Sequence, residues 1–224
     1  MIGLAFSGGK DSWACLWLNK DKLPEITVIW VNTGKNYPEL LETIEKAKLM
    51  CPNFIELTVD RDGQNAYNGL PADVVPVNWT RMGQVFTGDK AVTVQPYFQC
   101  CYENIGRNLQ KFCKDVGITE LIRGQRLSEA HKSPARDGSV VDGITYRQPI
   151  ENWSEAQVTE YVGRHMDLPT HFRFAHSSMD CYDCTAYTKE SQDRIGYMET
   201  HHPVLFQEYK VRKDQLDQAL SEAT

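Results

Sequence analysis

The 224-residue chain has no excess of positive charge: 24 lysines and arginines stand against 30 aspartates and glutamates, a formal charge of -6. Broad, nonspecific binding to nucleic acid needs a basic face that displaces counterions, and this composition excludes it while leaving room for a local basic pocket. No run approaches about 18 apolar residues, so no membrane-spanning helix and no membrane partner is expected. The first residues carry no basic and apolar leader, and a cytoplasmic location is the expectation. Internal repeats and low-complexity tracts are also missing. What is present is 41% hydrophobic residues, enough for the core of one α/β domain over residues 1–190 with a helical extension of the same domain over 191–224.

The chain also lacks the longer G-x-x-x-x-G-K phosphate loop. In its place, directly after the apolar run Met1 to Phe6, stand Ser7, Gly8, Gly9, Lys10, Asp11 and Ser12, followed by the helical pattern Trp13, Leu16, Trp17. A buried strand that breaks at two glycines and restarts as a helix leaves the first amide N–H groups of that helix pointing out of the turn. The glycines permit φ > 0 and a close approach, while Ser7, Ser12 and Lys10 add donors around the same point. This is a cradle for a phosphate or sulfate group, and Ser7 to Ser12 resembles the PP-loop of the adenine nucleotide α-hydrolase-like superfamily.

Ile26 to Val31 reads as a strand covered on both faces and ends in Asn32-Thr33-Gly34. A βαβ unit in this order places a ligand at the carboxyl ends of its strands, with Thr33 and Gly34 on the adenosine side. Further strands are expected near 54–59 and 120–123, giving a doubly wound, mainly parallel sheet with a helical C-terminal extension. From Arg61 to Gln99 glycines and prolines interrupt the chain too often for long elements, and a loop-rich cover or a surface insertion is expected there. Gly117 fits a helix end, and Ser154 with Gln157 makes a capping box for a helix carrying Val158, Tyr161 and Val162. Leu205 to Leu220 reads as an amphipathic, charged helix.

Seven cysteines in a chain expected in a reducing compartment read as thiols or metal ligands before disulfides. Cys181 and Cys184 form a C-x-x-C pair, and Cys100-Cys101 is a vicinal pair. Two such pairs complete a four-thiolate set that suits zinc or a 4Fe-4S cluster equally, and spacing does not choose between them. A thioredoxin-like redox pair would instead open a helix straight after a strand. Cys15, Cys51 and Cys113 fall on amphipathic helices, where a small buried hydrophobe is the usual role; only Cys15 lies near the first turns of a helix.

The PP-loop, Cys100-Cys101 before a helix, Gly124-Gln125-Arg126 at a strand end, Pro149-Ile150 and Trp153 before a helix, and Ser178 followed by Cys181-x-x-Cys184-Thr185 occur in an order similar to that of phosphoadenylyl-sulfate (PAPS) and adenylyl-sulfate (APS) reductases. The resemblance covers residues 1 to about 190. It implies an enzyme of sulfur metabolism that binds an adenine nucleotide beside a 4Fe-4S cluster on Cys100, Cys101, Cys181 and Cys184, with zinc as the lesser alternative. It further implies Ser7, Gly8, Gly9, Lys10, Asp11 and Ser12 on the phosphosulfate or triphosphate, Thr33 and Gly34 on the adenosine, and Arg126 on the anionic end, with Lys132 and Arg136 as weaker contacts. Lys10, Asp11 and Arg126 are the catalytic candidates, and His171, Arg173 and His176 flank the second cysteine pair.

In that family the attacking thiolate sits on a C-terminal E-C-G-I/L-H motif, and this sequence has no cysteine after Cys184. Three readings stay open. One is sulfonucleotide reduction of APS or PAPS with an external thiol or electron donor such as a thioredoxin-like protein. Another is ATP-dependent sulfur transfer, with adenylation of a nucleic-acid or small-molecule acceptor. The third is a non-catalytic nucleotide and iron-sulfur sensor. A homo-oligomer is the expected assembly.

Overall fold

The computed structural model describes residues 1–88, 93–129, 133–174 and 179–222. In chain order its elements are β1 (Ile2–Ala5), α1 (Lys10–Leu18), β2 (Ile26–Asn32), α2 (Pro38–Met50), β3 (Phe54–Thr58), α3 (Arg61–Asn68), β4 (Leu70–Ala72), α4 (Arg81–Thr87), β5 (Val94–Pro96), α5 (Tyr97–Cys101), a π-helical turn (Tyr102–Gly106), α6 (Arg107–Val116), β6 (Glu120–Ile122), β7 (Val140–Val141), β8 (Ile144–Arg147), α7 (Glu155–Gly163), α8 (Gln192–His201) and α9 (Pro203–Glu222). The chain forms two compact units, one of residues 1–32, 38–57 and 108–170, the other of 33–37, 58–107 and 171–224.

The first unit is an α/β fold around a six-stranded sheet in the order β3-β2-β1-β6-β8-β7. β1 pairs in parallel with both β2 and β6, β6 pairs in parallel with β8, and β7 runs antiparallel to β8. β2 is the β-branched run Ile-Thr-Val-Ile-Trp-Val, and four consecutive residues of it, Val28 to Val31, are buried, as befits a strand covered on both faces. On α2, Leu40, Ile44 and Ala47 repeat at helical spacing and are buried together. Gly117 ends α6 with φ of 76°, and the Ile118 N–H closes back on the Cys113 carbonyl at 2.8 Å. The capping box of α7 forms as the sequence implies, with Ser154 and Gln157 each accepting from the other's backbone N–H.

The strand order fixes where a ligand belongs. From β1 the chain winds outward one way through β2 and β3, and the other way through β6 and β8, so the crevice at the carboxyl ends of β1 and β6 is the topological switch point. The loop after β1 is Ser7 to Gly9, and the loop after β6 carries Gly124, Gln125 and Arg126.

The second unit is built on two short parallel strands, β4 and β5, with Leu70 opposite Val94. Its core joins Leu70, Ala72 and Val94 to Leu216 and Ala219 of α9, with Val75, Trp79 and Leu220 against them. The stretch from Arg61 to Gln99, expected to be loop-rich, therefore contains helices and both strands of this sheet among its described residues. Its elements are only three to eight residues long, and Gly69 and Gly88, at φ of 94° and 75°, end two of them. Such pieces are too short to show a hydrophobic period. The C-terminal helix is likewise part of a core and not a solvated appendage.

Candidate functional site

The first half of the site is the loop between β1 and α1. Gly8 sits at φ of 79°, and a Cβ there would lie 2.4 Å from Leu40 Cδ1, so the turn needs glycine for its conformation and for its packing. Gly9 is the extended residue before α1, the Ser12 hydroxyl donates to the Gly9 carbonyl at 2.8 Å, and the Gly9 N–H donates weakly to Ser7 Oγ at 3.4 Å. These bonds hold the loop open while the N–H groups of Lys10, Asp11 and Ser12, which no helical carbonyl can reach, point out of the first turn. Partial positive charge from those amides and the Lys10 ammonium makes the loop an anion cradle.

The loop after β6 supplies the facing side. Arg126 is 8% exposed; its Nε donates to Asp11 Oδ1 of the cradle helix and its Nη1 to Ser128 Oγ at 3.1 Å. Glu129 accepts from the Arg126 backbone N–H at 3.0 Å, and burial, with Asp11 near, pushes its carboxyl above the usual carboxylate range. Lys10 Nζ lies 3.2 Å from Glu155 Oε1 and 3.8 Å from Asp11 Oδ2. Gln125 clamps the next loop by accepting from the Ser133 N–H at 2.9 Å and donating to the Ser133 carbonyl at 3.0 Å. Gly124 presses on the cradle: a Cβ there would lie 2.7 Å from the Asp11 carbonyl carbon and oxygen.

The second unit holds the four cysteines. Cys100 and Cys101 end α5, immediately before the π-helical turn, a local widening that frequently marks functional sites. Cys181 has φ of 51°, a left-handed conformation that is strained for a side chain with a Cβ, and Cys184 closes the C-x-x-C turn with an N–H bond to the Cys181 carbonyl at 2.9 Å. Cys181 Sγ donates to Thr33 Oγ1 at 3.4 Å, Cys100 Sγ donates to Asn65 Oδ1 at 3.4 Å, and Cys101 Sγ lies 3.5 Å from the Tyr187 hydroxyl. The four thiols feel one another: Cys100 interacts with Cys101 and Cys184, Cys101 with Cys184, and Cys181 with Cys184. Burial pushes Cys100 up to about 12 and raises Cys101 and Cys181 as well.

Beside these thiols runs a buried ion network that the sequence reading missed. Arg61, 2% exposed, lies with Nη1 2.7 Å from Asp183 Oδ1, and Asp183 Oδ2 is 3.2 Å from Arg212 Nη1. Burial works against the charge of Arg61, but Cys181, Asp183 and Cys100 around it raise its pKa overall. Among the described residues, buried Arg61 Nη2 and Asn65 Nδ2 have no hydrogen-bond partner. One buried carboxylate thus faces two guanidinium groups, next to the four cysteines.

Whether this set suits a metal can be tested on these groups. Among the described residues no group of three or more His, Cys, Asp or Glu side chains is arranged to hold a metal ion, and tetrahedral zinc would need four sulfurs within about 2.3 Å of one point. A cubane cluster takes its thiolates at the outer corners of a body several atoms across. An all-thiol donor set, electrostatically coupled and lying beside surplus buried N–H donors, fits an anionic cluster better than a single ion.

The structure therefore brings Ser7, Gly8, Gly9, Lys10, Asp11, Ser12 and Arg126 together in the first unit, and Cys100, Cys101, Cys181, Cys184 and Thr33 in the second. Thr33 is buried with its hydroxyl on Cys181, and Gly34 follows at φ of 76°. Arg136 is half exposed beside Glu151 at 3.9 Å, His171 is buried and Arg173 exposed. Lys132, His131, His176 and Ser178 lie outside the described residues. Cys15 is not activated by its helix: burial, then Asp11, push its thiol up. Burial also raises Cys51 and Cys113 to about 11 each. Glu129 and Glu155 escaped the sequence reading because a carboxylate near a helix start reads as an ordinary surface charge; Arg126 and Glu129 at i,i+3 were the available signal. Arg61, one residue after the N-cap Asp60, looked equally unremarkable.

The family profile described as phosphoadenosine phosphosulfate reductase domain matches residues 1–187. An adenosine 5'-phosphosulfate reductase from Deinococcus radiodurans is 23% identical over 170 residues, 74% of this chain and 59% of that protein. A phosphoadenosine 5'-phosphosulfate reductase from Alkalilimnicola ehrlichii is 26% identical over 172 residues, 76% of this chain and 63% of that protein. The chain thus spans about three fifths of the length of these relatives. A crystal structure of phosphoadenylyl-sulfate reductase from Candida auris in a phosphate complex superimposes with a TM-score of 0.50 at 15% identity, over 77% of this chain and 76% of that one. This likeness shows the fold. No helix among the described residues is long and apolar enough to cross a membrane.

Proposed function

The chain belongs to the phosphoadenosine phosphosulfate reductase domain family, and from that premise we propose that it binds an adenylyl sulfate, with or without a 3′-phosphate, at the Ser7–Ser12 cradle and reduces it with an external dithiol. The observation that carries the reading is the placing of an unpaired helix N-terminus, Lys10 and Arg126 at the switch point of a parallel sheet. A thiolate of the external dithiol attacks the sulfate sulfur. The new S–S bond forms as the S–O bond to the nucleotide breaks, and the electron pair leaves on the phosphate oxygen. The N–H groups of Lys10 to Ser12 and the Lys10 ammonium meet that developing charge, and Asp11 orients Arg126 beside it. The second thiol of the dithiol then attacks its partner sulfur, releasing sulfite. Sulfur gains two electrons and two thiols become a disulfide.

An external dithiol is invoked because burial raises the Cys15, Cys51 and Cys113 thiols, the opposite of what an attacking cysteine needs, and because Cys100, Cys101, Cys181 and Cys184 are assigned to the cluster. Cys100, Cys101, Cys181 and Cys184 would hold a 4Fe-4S cluster, which when bound supplies a one-electron and sulfur-coordinating centre. The same raised thiols favour a second reading, ATP-dependent sulfur transfer, in which the cradle holds a triphosphate and pyrophosphate leaves on adenylation of an acceptor.

Incubation with adenylyl sulfate, phosphoadenylyl sulfate or ATP separates these. Sulfite that depends on added dithiol supports reduction. Acceptor-dependent pyrophosphate from ATP replaces it with transfer, and nucleotide binding without either product leaves a binding module. Protein prepared anaerobically should be brown, with about four iron atoms per chain, and replacing any one of the four cysteines by serine should lose the colour while Cys51→Ser and Cys113→Ser keep it. Stoichiometric zinc without iron would overturn the cluster and leave the ligands standing.

A further inference from the structure

Building on the four-cysteine cluster reading, we propose that Arg61 is the built-in counter-charge of that centre and sets its reduction potential, with Asn65 one helical turn further along α3 as its neutral companion. The sequence places both on one face of an eight-residue helix whose N-cap, Asp60, accepts from the Gly63 N–H. Both are buried, at 2% and 6% exposure. The helix is therefore fixed by its cap while this face is turned inward.

A guanidinium inside a protein needs an anion, and Asp183 is the obvious one, 2.7 Å from Arg61 Nη1. Yet Asp183 is shared. Its other oxygen lies 3.2 Å from Arg212 Nη1, so one buried carboxylate serves two cations and leaves one positive charge over. Asp62 does not close the gap: it is 3.9 Å from Arg61 and 3.8 Å from Arg212, and its side chain is 62% exposed, so water screens it. The surplus also has a direction. Among the described residues, Arg61 Nη2 and Asn65 Nδ2 are buried donors without an acceptor, Cys181 and Cys100 lie within electrostatic reach of the guanidinium, and Asn65 Oδ1 already accepts from Cys100 Sγ at 3.4 Å. A thiolate-ligated cluster of net negative charge would satisfy these donors.

The physical consequence follows from charge. A fixed cation beside a redox centre favours the state with the extra electron, and N–H groups aimed at sulfur act in the same direction. The centre should therefore be easier to reduce with Arg61 than without it, a role distinct from holding the cysteines in place.

The test uses the whole chain, reconstituted anaerobically with iron and sulfide, and reads the midpoint potential by spectroelectrochemistry together with iron content and the visible spectrum. Arg61→Gln should keep the iron and move the midpoint to more negative values. Arg61→Lys, which keeps the charge, should restore most of the wild-type midpoint. If Arg61→Gln fails to fold, Asp183→Asn, which keeps both guanidinium groups and removes the carboxylate between them, should move the midpoint to less negative values. A wild-type midpoint in the loaded Arg61→Gln or Asp183→Asn variant overturns the proposal. A shift in the lysine variant as large as in the glutamine variant also overturns it, because it would make packing and not charge the cause. Wild-type protein that takes up no iron overturns the parent reading and this one with it.

Discussion

Gly124→Ala offers the sharpest test of how the cradle is built. The added methyl would lie 2.7 Å from both the carbonyl carbon and oxygen of Asp11 and 3.0 Å from the Ser12 nitrogen. Ordinary carbon contacts lie at about 3.5 to 4.0 Å. These obstacles are backbone atoms of the first turn of α1 and cannot rotate away, so the turn must retreat by about 1 Å. Overpacking of this kind costs about 1 to 3 kcal/mol of stability. The retreat also carries the N–H groups of Lys10 to Ser12 and the Asp11 carboxylate that holds Arg126, and a misplacement of about 1 Å at a positioned site can cost about 100-fold. Urea denaturation should show the first effect, and calorimetric titration with adenylyl sulfate should show the second as a loss of at least tenfold, about 1.4 kcal/mol. Gly138→Ala is the control. It introduces a side chain at a positive φ, 78°, but into open space, so it should cost about 1 to 2 kcal/mol of stability and no nucleotide affinity. A Gly124→Ala protein with wild-type midpoint and wild-type affinity would refute the reasoning.

Lys10→Ala should weaken nucleotide binding by about 1 to 3 kcal/mol, the loss of a charged hydrogen bond, in the same titration. Glu155→Gln removes the carboxylate 3.2 Å from Lys10 Nζ and should tighten anion binding several-fold at low salt, an advantage that disappears as salt is added. The Cys113 thiol, fully buried, is raised from 9.0 to about 11 by burial. A raised thiol pKa means that its stabilising contribution is complete below about pH 9 and is lost as pH rises through 11. By linkage, wild-type stability should therefore fall by about 2 to 3 kcal/mol relative to Cys113→Ala across that window, measured by urea denaturation at pH 8 and pH 11.

The first unit was largely legible because its signals are local and long. β2 is seven residues of β-branched and aromatic side chains, α2 spans thirteen residues with a clear buried stripe, and the cradle lies within six consecutive positions. The second unit was not, because nothing in it is both long and periodic. β4 and β5 are three residues each and pair across a separation of 24 positions, Leu70 with Val94, a contact with no signature in either segment. The ion network fails to announce itself for a related reason. Arg61, Asp183 and Arg212 each look like a solvated charge in their own segment, and only folding removes the water. The cysteine pairs were visible because their chemistry is rare, whereas the arginine beside them is common.

The cradle of the first unit and the cysteine set of the second differ in how their cations are matched, and the difference bears on what each would bind. In the cradle, Lys10 and Arg126 already have carboxylates: Glu155, half exposed, and Asp11, with Glu129 against the Arg126 backbone. An incoming anion gains by exchange, displacing Glu155 into water at little cost because surface ion pairs contribute only about 0 to 1 kcal/mol, and the same carboxylate returns when the anion leaves. That reversibility suits a substrate that must turn over. In the second unit the matching is incomplete and buried: Asp183 answers two guanidinium groups, and the exposed Asp62 stands 3.8 to 3.9 Å from both, screened by water. Leaving such a charge uncompensated costs about 3 to 5 kcal/mol, so an anion bound there gains that much for staying. The requirement suits a resident group. On the proposed function, the exchangeable pairs of the cradle would suit the nucleotide, and the buried, shared carboxylate beside the four cysteines would suit a cofactor.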